Sequence, residues 1–218
     1  MIEWIKSNTP AKAQFIFAHG AGAGSDSEFM QQMAQLIAAY EIDVGLFDFE
    51  YMQTAKQTNK RRPPDRAPKL LDYFEHVLTF AQPKLPLFIG GKSMGGRMAS
   101  ILASEERAAT AMIAGVVAFG YPFHPPGKPD KLRIDHFAKI ACPFMVLQGE
   151  RDTFGTRDEL TQLHLDKRPD FVWLPDGDHS LKPRKRSGFT ELENIQSAAK
   201  HAARFIMQHH LLQEKNYD

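Results

Sequence analysis

Gly91-Lys92-Ser93-Met94-Gly95 sets a serine between two glycines in the pattern G-x-S-x-G. A serine hydroxyl is a weak nucleophile until a base takes its proton and a third group orients that base. The pattern supplies the geometry for such chemistry, a tight strand-to-helix turn that lifts the hydroxyl above a sheet. Glycine two residues to either side leaves room where a Cβ would crowd the turn. A helix opening at Met94 aims its N-terminal N–H groups and dipole at Ser93, which favours negative charge developing there. An ordinary glycine turn fits the context less well. Apolar Leu87–Gly90 precedes the pentad, and Met98, Ile101 and Leu102 follow at helical spacing.

In this kind of elbow fold the chain order is serine, acid, histidine. Asp152 follows the apolar run Phe144–Gln148, and His179 follows Phe171–Leu174, which places both at strand ends in the required order. Glu150 competes with Asp152 for the acid role. Asp176 and Asp178 are read as turn or capping residues. His124 and His136 precede the acid, whereas His201, His209 and His210 fall on the last helix, expected exposed. Acyl transfer also needs donors for a tetrahedral oxyanion. His19-Gly20-Ala21-Gly22-Ala23-Gly24 can turn backbone N–H groups inward, and the expected donors are those of Ala21 and Met94. This G-x-G-x-G is neither a dinucleotide fingerprint nor a P-loop. No cofactor and no metal are expected.

The elements that must carry these residues are legible as apolar runs alternating with helical periods. Strands are predicted at Gln14–Ala18, Val44–Phe47, Leu87–Gly90, Ile113–Phe119, Phe144–Gln148 and Phe171–Leu174, with a weaker edge strand at Ile2–Lys6. The unbroken apolar runs suit parallel strands covered on both faces. Helices are predicted at Glu28–Tyr40 (face Phe29, Met33, Leu36, Ile37), Ala67–Ala81, Met94–Glu106, Thr156–Asp166 and Glu191–Leu212. Thr190 and Glu193 form a capping-box pattern before the last of these. Met52–Pro68 reads as an exposed loop and Tyr121–Pro129, with four prolines, as a stiff one. The alternation implies an α/β fold, with 1–218 as one domain.

Taken together, His19–Gly22, Gly91–Arg97, Tyr121–Lys128, Gly149–Asp152 and Asp178–Ser180 resemble the α/β-hydrolase superfamily. The similarity is to its small dienelactone-hydrolase-like branch related to Tex30 and KANSL3. The resemblance spans Phe15 to Ser180. It implies a mainly parallel sheet of about 6–7 strands with helices on both faces, and a triad of Ser93, Asp152 and His179. His19, Lys92, Tyr121 and His124, which lie in these motifs, stand as candidate substrate-binding residues. It carries no substrate, and relatives acting as scaffolds keep a non-catalytic reading open. The expected activity is serine-esterase hydrolysis of a small acyl substrate, with acyltransferase or peptidase chemistry as alternatives. Lys92 and Arg97 either favour an anionic substrate or are structural, Lys92 at the sheet edge and Arg97 paired with a carboxylate.

Composition bounds the rest. The 218 residues carry 27 Lys+Arg against 26 Asp+Glu, a formal charge of +1, which gives no global drive toward nucleic acid or membrane. Lys182–Arg186 is basic but reads as a solvated loop. The single cysteine, Cys142, excludes an internal disulfide. No apolar run approaches a membrane span and no secretory leader is visible, so a cytoplasmic location is expected. The short spacing from Ser93 to Asp152 leaves no room for a cap domain, so an open cleft is expected. The oligomeric state is left open.

Overall fold

The structure, a computed structural model, describes residues 2–107, 109–163, 165 and 169–214, with side chains up to residue 210. Six strands run parallel: β2 (Ala13–Ala18), β3 (Ile42–Phe47), β4 (Leu87–Lys92), β5 (Ile113–Phe119), β6 (Phe144–Gly149) and β7 (Asp170–Leu174). The short β1 (Glu3–Ile5) pairs antiparallel with β3 at one edge. The spatial order is β1-β3-β2-β4-β5-β6-β7. Lys92 therefore ends the central strand. The sheet grows outward in opposite directions from β2 and β4, and their carboxyl ends form the switch point where such sheets keep ligands.

Side-chain alternation divides the core into two layers. Phe15, Phe17, Val44, Leu46, Val117 and Leu147 face α1 (Glu28–Ala38) and α6 (Glu191–Glu214). Ile16, Ala18, Phe47, Ile89, Val116 and Val146 face the opposite way, against α3 (Ala67–Leu78) and α4 (Met94–Leu102). The α1 stripe is rotated from its expected face, with Met30, Met33, Ala34 and Ile37 buried and Phe29 half-buried. His210, expected exposed, is buried on α6. The Thr190–Glu193 capping box forms, with reciprocal bonds of 3.2 and 2.7 Å. The segment expected as loop from Met52 contains most of α2 (Glu50–Thr58). That helix buries only Tyr51, so its sequence has no apolar stripe to betray it. It stops at Asn59, which takes the left-handed conformation at φ 55°.

The short α5 (Arg157–Gln162) is capped by Thr156 and Glu159. Its expected end, Asp166, lies outside the described residues. Between β5 and β6 the chain makes turns and one 3-10 turn at Phe137–Lys139, and no separate cap domain appears among the described residues. No described helix is long and apolar enough to cross a membrane.

Candidate active site

Ser93 sits between β4 and α4 at φ 51°, ψ −113°, a left-handed conformation rare for a residue with a Cβ. Its N–H donates to Phe119 O at 2.9 Å, and the glycines beside it let backbones meet. A Cβ on Gly91 would lie 2.4 Å from the carbonyl carbon of Gly95, and one on Gly95 would lie 2.4 Å from Ala18 O. The turn is thus wedged under the end of β2, and its strain is held by packing rather than by the serine itself.

His179 and Asp152 complete a continuous chain of hydrogen bonds. His179 Nε2 is 2.9 Å from Ser93 Oγ, and Nδ1 is 2.8 Å from Asp152 Oδ2. Asp152 is fully buried and accepts two further bonds, from Gln148 Nε2 at 2.9 Å and from Phe154 N at 2.9 Å. An acceptor-only carboxylate is what three donors require. Its position assigns the proton to Nδ1 and leaves Nε2 to accept from the serine hydroxyl. The Phe154 ring lies against the imidazole at 4.3 Å between centroids. Glu150 is occupied elsewhere, accepting from Arg157 Nη1 at 2.6 Å and Asp176 N at 2.9 Å.

The loop bearing His179 is braced from several sides. Asp178 Oδ1 accepts from Ser180 N at 2.8 Å and Lys182 N at 3.0 Å. Asp176, at φ 50°, takes bonds from Arg184, which hold its carboxyl down at about 2. Asn194 Nδ2 reaches Pro175 O and Leu181 O. Asp176 and Asp178 are therefore the turn residues they were expected to be. Lys182 and Arg184, part of the basic run, pair with Glu191 and Asp176.

The loop after β2 is organised from below. His19 is fully buried, its Nδ1 donating to Gly20 O at 2.6 Å and its Nε2 accepting from Phe49 N at 3.1 Å. Burial lowers its pKa, so the neutral ring fits both bonds. Tyr51 Oη donates to Gly20 O and Ala21 O, pinning the backbone of that loop. Among the described residues, the N–H groups of Ala21 and Met94 donate to no other protein group. Ala21 shares with Ser93 and His179 a cleft of about 780 Å³ that runs between the N-terminal ends of α1 and α6. Phe29, Met30, Leu192 and Ile195 supply its apolar walls.

Of the four candidate substrate-binding residues, only Lys92 lines this cleft. His19 is committed to its loop. Tyr121 is buried, with its hydroxyl donating to Arg133 O at 2.8 Å and its ring against Phe123 and Phe137. His124 is 3% exposed, with Nδ1 at 2.9 Å from Pro125 O and Nε2 3.6 Å from Glu159. Arg97 has no carboxylate partner among the described residues, so the expected ion pair beneath the elbow does not form. Gln148, Phe154 and Tyr51 escaped the sequence reading. Only Gln148 left a trace, as the polar last residue of an otherwise apolar run. Among the described residues no group of three His, Cys, Asp or Glu is placed to hold a metal.

Solved structures share this architecture. A dienelactone hydrolase from Anabaena variabilis matches with a TM-score of 0.65 and 21% identity, over 94% of this chain and 89% of its own. A serine hydrolase without lid from Xanthomonas campestris matches at 0.68 and 17%, over 93% and 87%. Est1E from Butyrivibrio proteoclasticus, solved with ferulic acid, matches at 0.68 and 12%, over 95% of both chains. At these identities the likeness concerns the fold. The family model of the alpha/beta hydrolase domain matches residues 11–207, nearly the whole chain, and the chain belongs to that family.

Proposed function

We propose that this chain is a serine hydrolase that cleaves small carboxylic esters, or thioesters, through an acyl-enzyme. The observation that carries the reading is the relay Ser93 Oγ–His179 Nε2–Asp152 Oδ2, with links of 2.9 and 2.8 Å, at the floor of an open cleft. Ser93 Oγ attacks the substrate carbonyl as its proton passes to His179 Nε2, and Asp152 stabilises the resulting imidazolium. The N–H groups of Ala21 and Met94 receive the oxyanion. Collapse of the tetrahedral species breaks the bond from the acyl carbon to the leaving oxygen or sulfur, and Nε2 returns the proton to the departing alcohol or thiol. Water then repeats the attack on the acyl-enzyme with the same base, releasing the acid and restoring Ser93. The apolar walls Phe29, Met30, Leu192 and Ile195 suit a short aliphatic or aromatic acyl group. The likeness to an esterase solved with ferulic acid agrees with that size class.

The test is a panel of neutral and charged aryl esters and thioesters, with fluorophosphonate labelling of the folded protein. Wild type is expected to turn over at least one short-chain ester and to take the label on Ser93. Ser93→Ala is expected to lose on the order of 10⁴-fold or more in kcat. A folded wild type that neither labels nor turns over any member would instead favour an interaction protein built on this fold.

A further inference from the structure

Lys92, the residue immediately before the nucleophile, makes contacts that the mechanism above does not use. Its ammonium donates to the backbone carbonyl of His179, 87 positions further along the chain. Among the described residues no other donor reaches that carbonyl. The path is cleared by Gly120, just past β5, at φ 60°. A Cβ there would lie 2.8 Å from Lys92 Nζ and 2.9 Å from His179 O, so any side chain would displace one from the other. The ring of Phe29 covers the ammonium, with its centroid 5.2 Å from Nζ. Burial lowers the pKa of this lysine to about 8, against the opposing pull of Asp152 and Asp178. A desolvated ammonium is a poor space-filler, and methionine would occupy the same volume without that penalty.

The His179 loop is tied to β6 through Arg151 and Asp176 and to α6 through Asn194. Neither tie connects it to the serine side of the site. We propose that Lys92 is the positioning residue that does so, strapping the backbone of His179 to the end of β4 across Gly120. The strap sets the Ser93–His179 separation. This rests on the serine-hydrolase reading and assigns Lys92 a role other than gripping substrate.

The experiment compares wild type, Lys92→Met, Gly120→Ala and Ser93→Ala on matched neutral and anionic esters. Lys92→Met is expected to lower kcat by about 10- to 100-fold on both ester types, as misplacing a reacting group by about 1 Å does. KM should stay within about two-fold. Losing kcat at an unchanged KM, on neutral and anionic esters alike, is a split that a merely structural lysine would not produce. Gly120→Ala is expected to reproduce the kcat loss by displacing the ammonium, and to add little in the Lys92→Met background. A KM rise confined to anionic esters would overturn the proposal in favour of substrate binding, and an unchanged kcat in Lys92→Met would overturn it outright. Should Lys92→Met not fold, an unchanged kcat in Gly120→Ala does the same. Ser93→Ala separates the two readings. If it keeps wild-type activity the serine mechanism fails. If it is inactive while Lys92→Met is fully active, only the strap fails.

Discussion

Gln148 governs how firmly Asp152 is held. Its side-chain nitrogen faces three acceptors, Asp152 Oδ2 at 2.9 Å and the carbonyls of Tyr121 and Gly155 at 3.2 Å each. Among the described residues its own buried oxygen meets no hydrogen-bond donor, so the amide serves through its donors alone. Leucine has nearly the same volume and no donor. Gln148→Leu would take the amide donor from the buried Gly155 carbonyl, leave Tyr121 O with Phe123 N alone, and leave Asp152 Oδ2 with only the imidazole. The expected stability loss is about 1–3 kcal/mol, read from urea unfolding. On the proposed mechanism kcat should fall by roughly 10-fold with KM little changed, because the carboxylate can rotate away from the productive imidazole orientation. A variant that loses stability but keeps kcat would show that Phe154 N and the surrounding packing orient Asp152 unaided.

At the level of elements, the site depends on how closely α4 approaches β2. Ala18 pairs with Phe47 on one side and Gly91 on the other, so the end of β2 cannot retreat from an intruding atom. Gly95→Ala places a Cβ 2.4 Å from Ala18 O and 2.7 Å from His19 O. The expected destabilisation is about 3 kcal/mol, at the upper end for overpacking because the obstruction is backbone. Gly22→Ala, with nothing within 4 Å of its added carbon, should stay within about 0.5 kcal/mol. Thermal or chemical unfolding of the pair checks the contrast, and equal effects would refute the wedge. The same closeness explains what could be read from the residues in advance. Strand–turn–helix around Ser93 was legible because the turn demands glycine at fixed offsets. The central strands were legible because they are buried on both faces and read as apolar runs. The face of α1 was misjudged because Met30 and Ala34 are buried where Phe29 and Leu36, both only half-buried, were expected. Helix α2 was missed because a helix that buries one residue leaves no periodic signal. Lys92 reaches a carbonyl 87 positions along the chain and Gln148 one 27 positions back, and no local pattern encodes such contacts.

Across the whole molecule, two histidines that must stay neutral border the core layer of α3 and α4, and this gives the fold a specific acid sensitivity. His19 lies under the cleft loop, its pKa lowered by burial. His136 lies beside α4, its Nε2 2.8 Å from Ser100 Oγ, and burial together with the nearby charge of Arg97 brings its pKa to about 4. A folded pKa below the unfolded value of about 6.5 means the unfolded chain binds more protons between the two. Stability therefore rises with pH through that window and is lost as pH falls from about 6.5 to 4. Asp43 and Asp48 act in a separate, lower range. Hydrogen bonds from Lys6 and Lys56 outweigh desolvation and lower their pKa values, so their contribution persists above the ordinary carboxylate range and disappears only as pH falls through the lowered values. His136→Gln keeps a side-chain amide within reach of Ser100 but removes the titration. Its urea midpoint should change less than that of wild type between pH 6.5 and 4, while the two proteins should decline in parallel below pH 3.8. The measurement is equilibrium unfolding rather than activity, because unfolding reports the stability that His136 contributes. Identical slopes for wild type and His136→Gln above pH 4 would mean that His136 reaches solvent when protonated and that the acid sensitivity lies elsewhere.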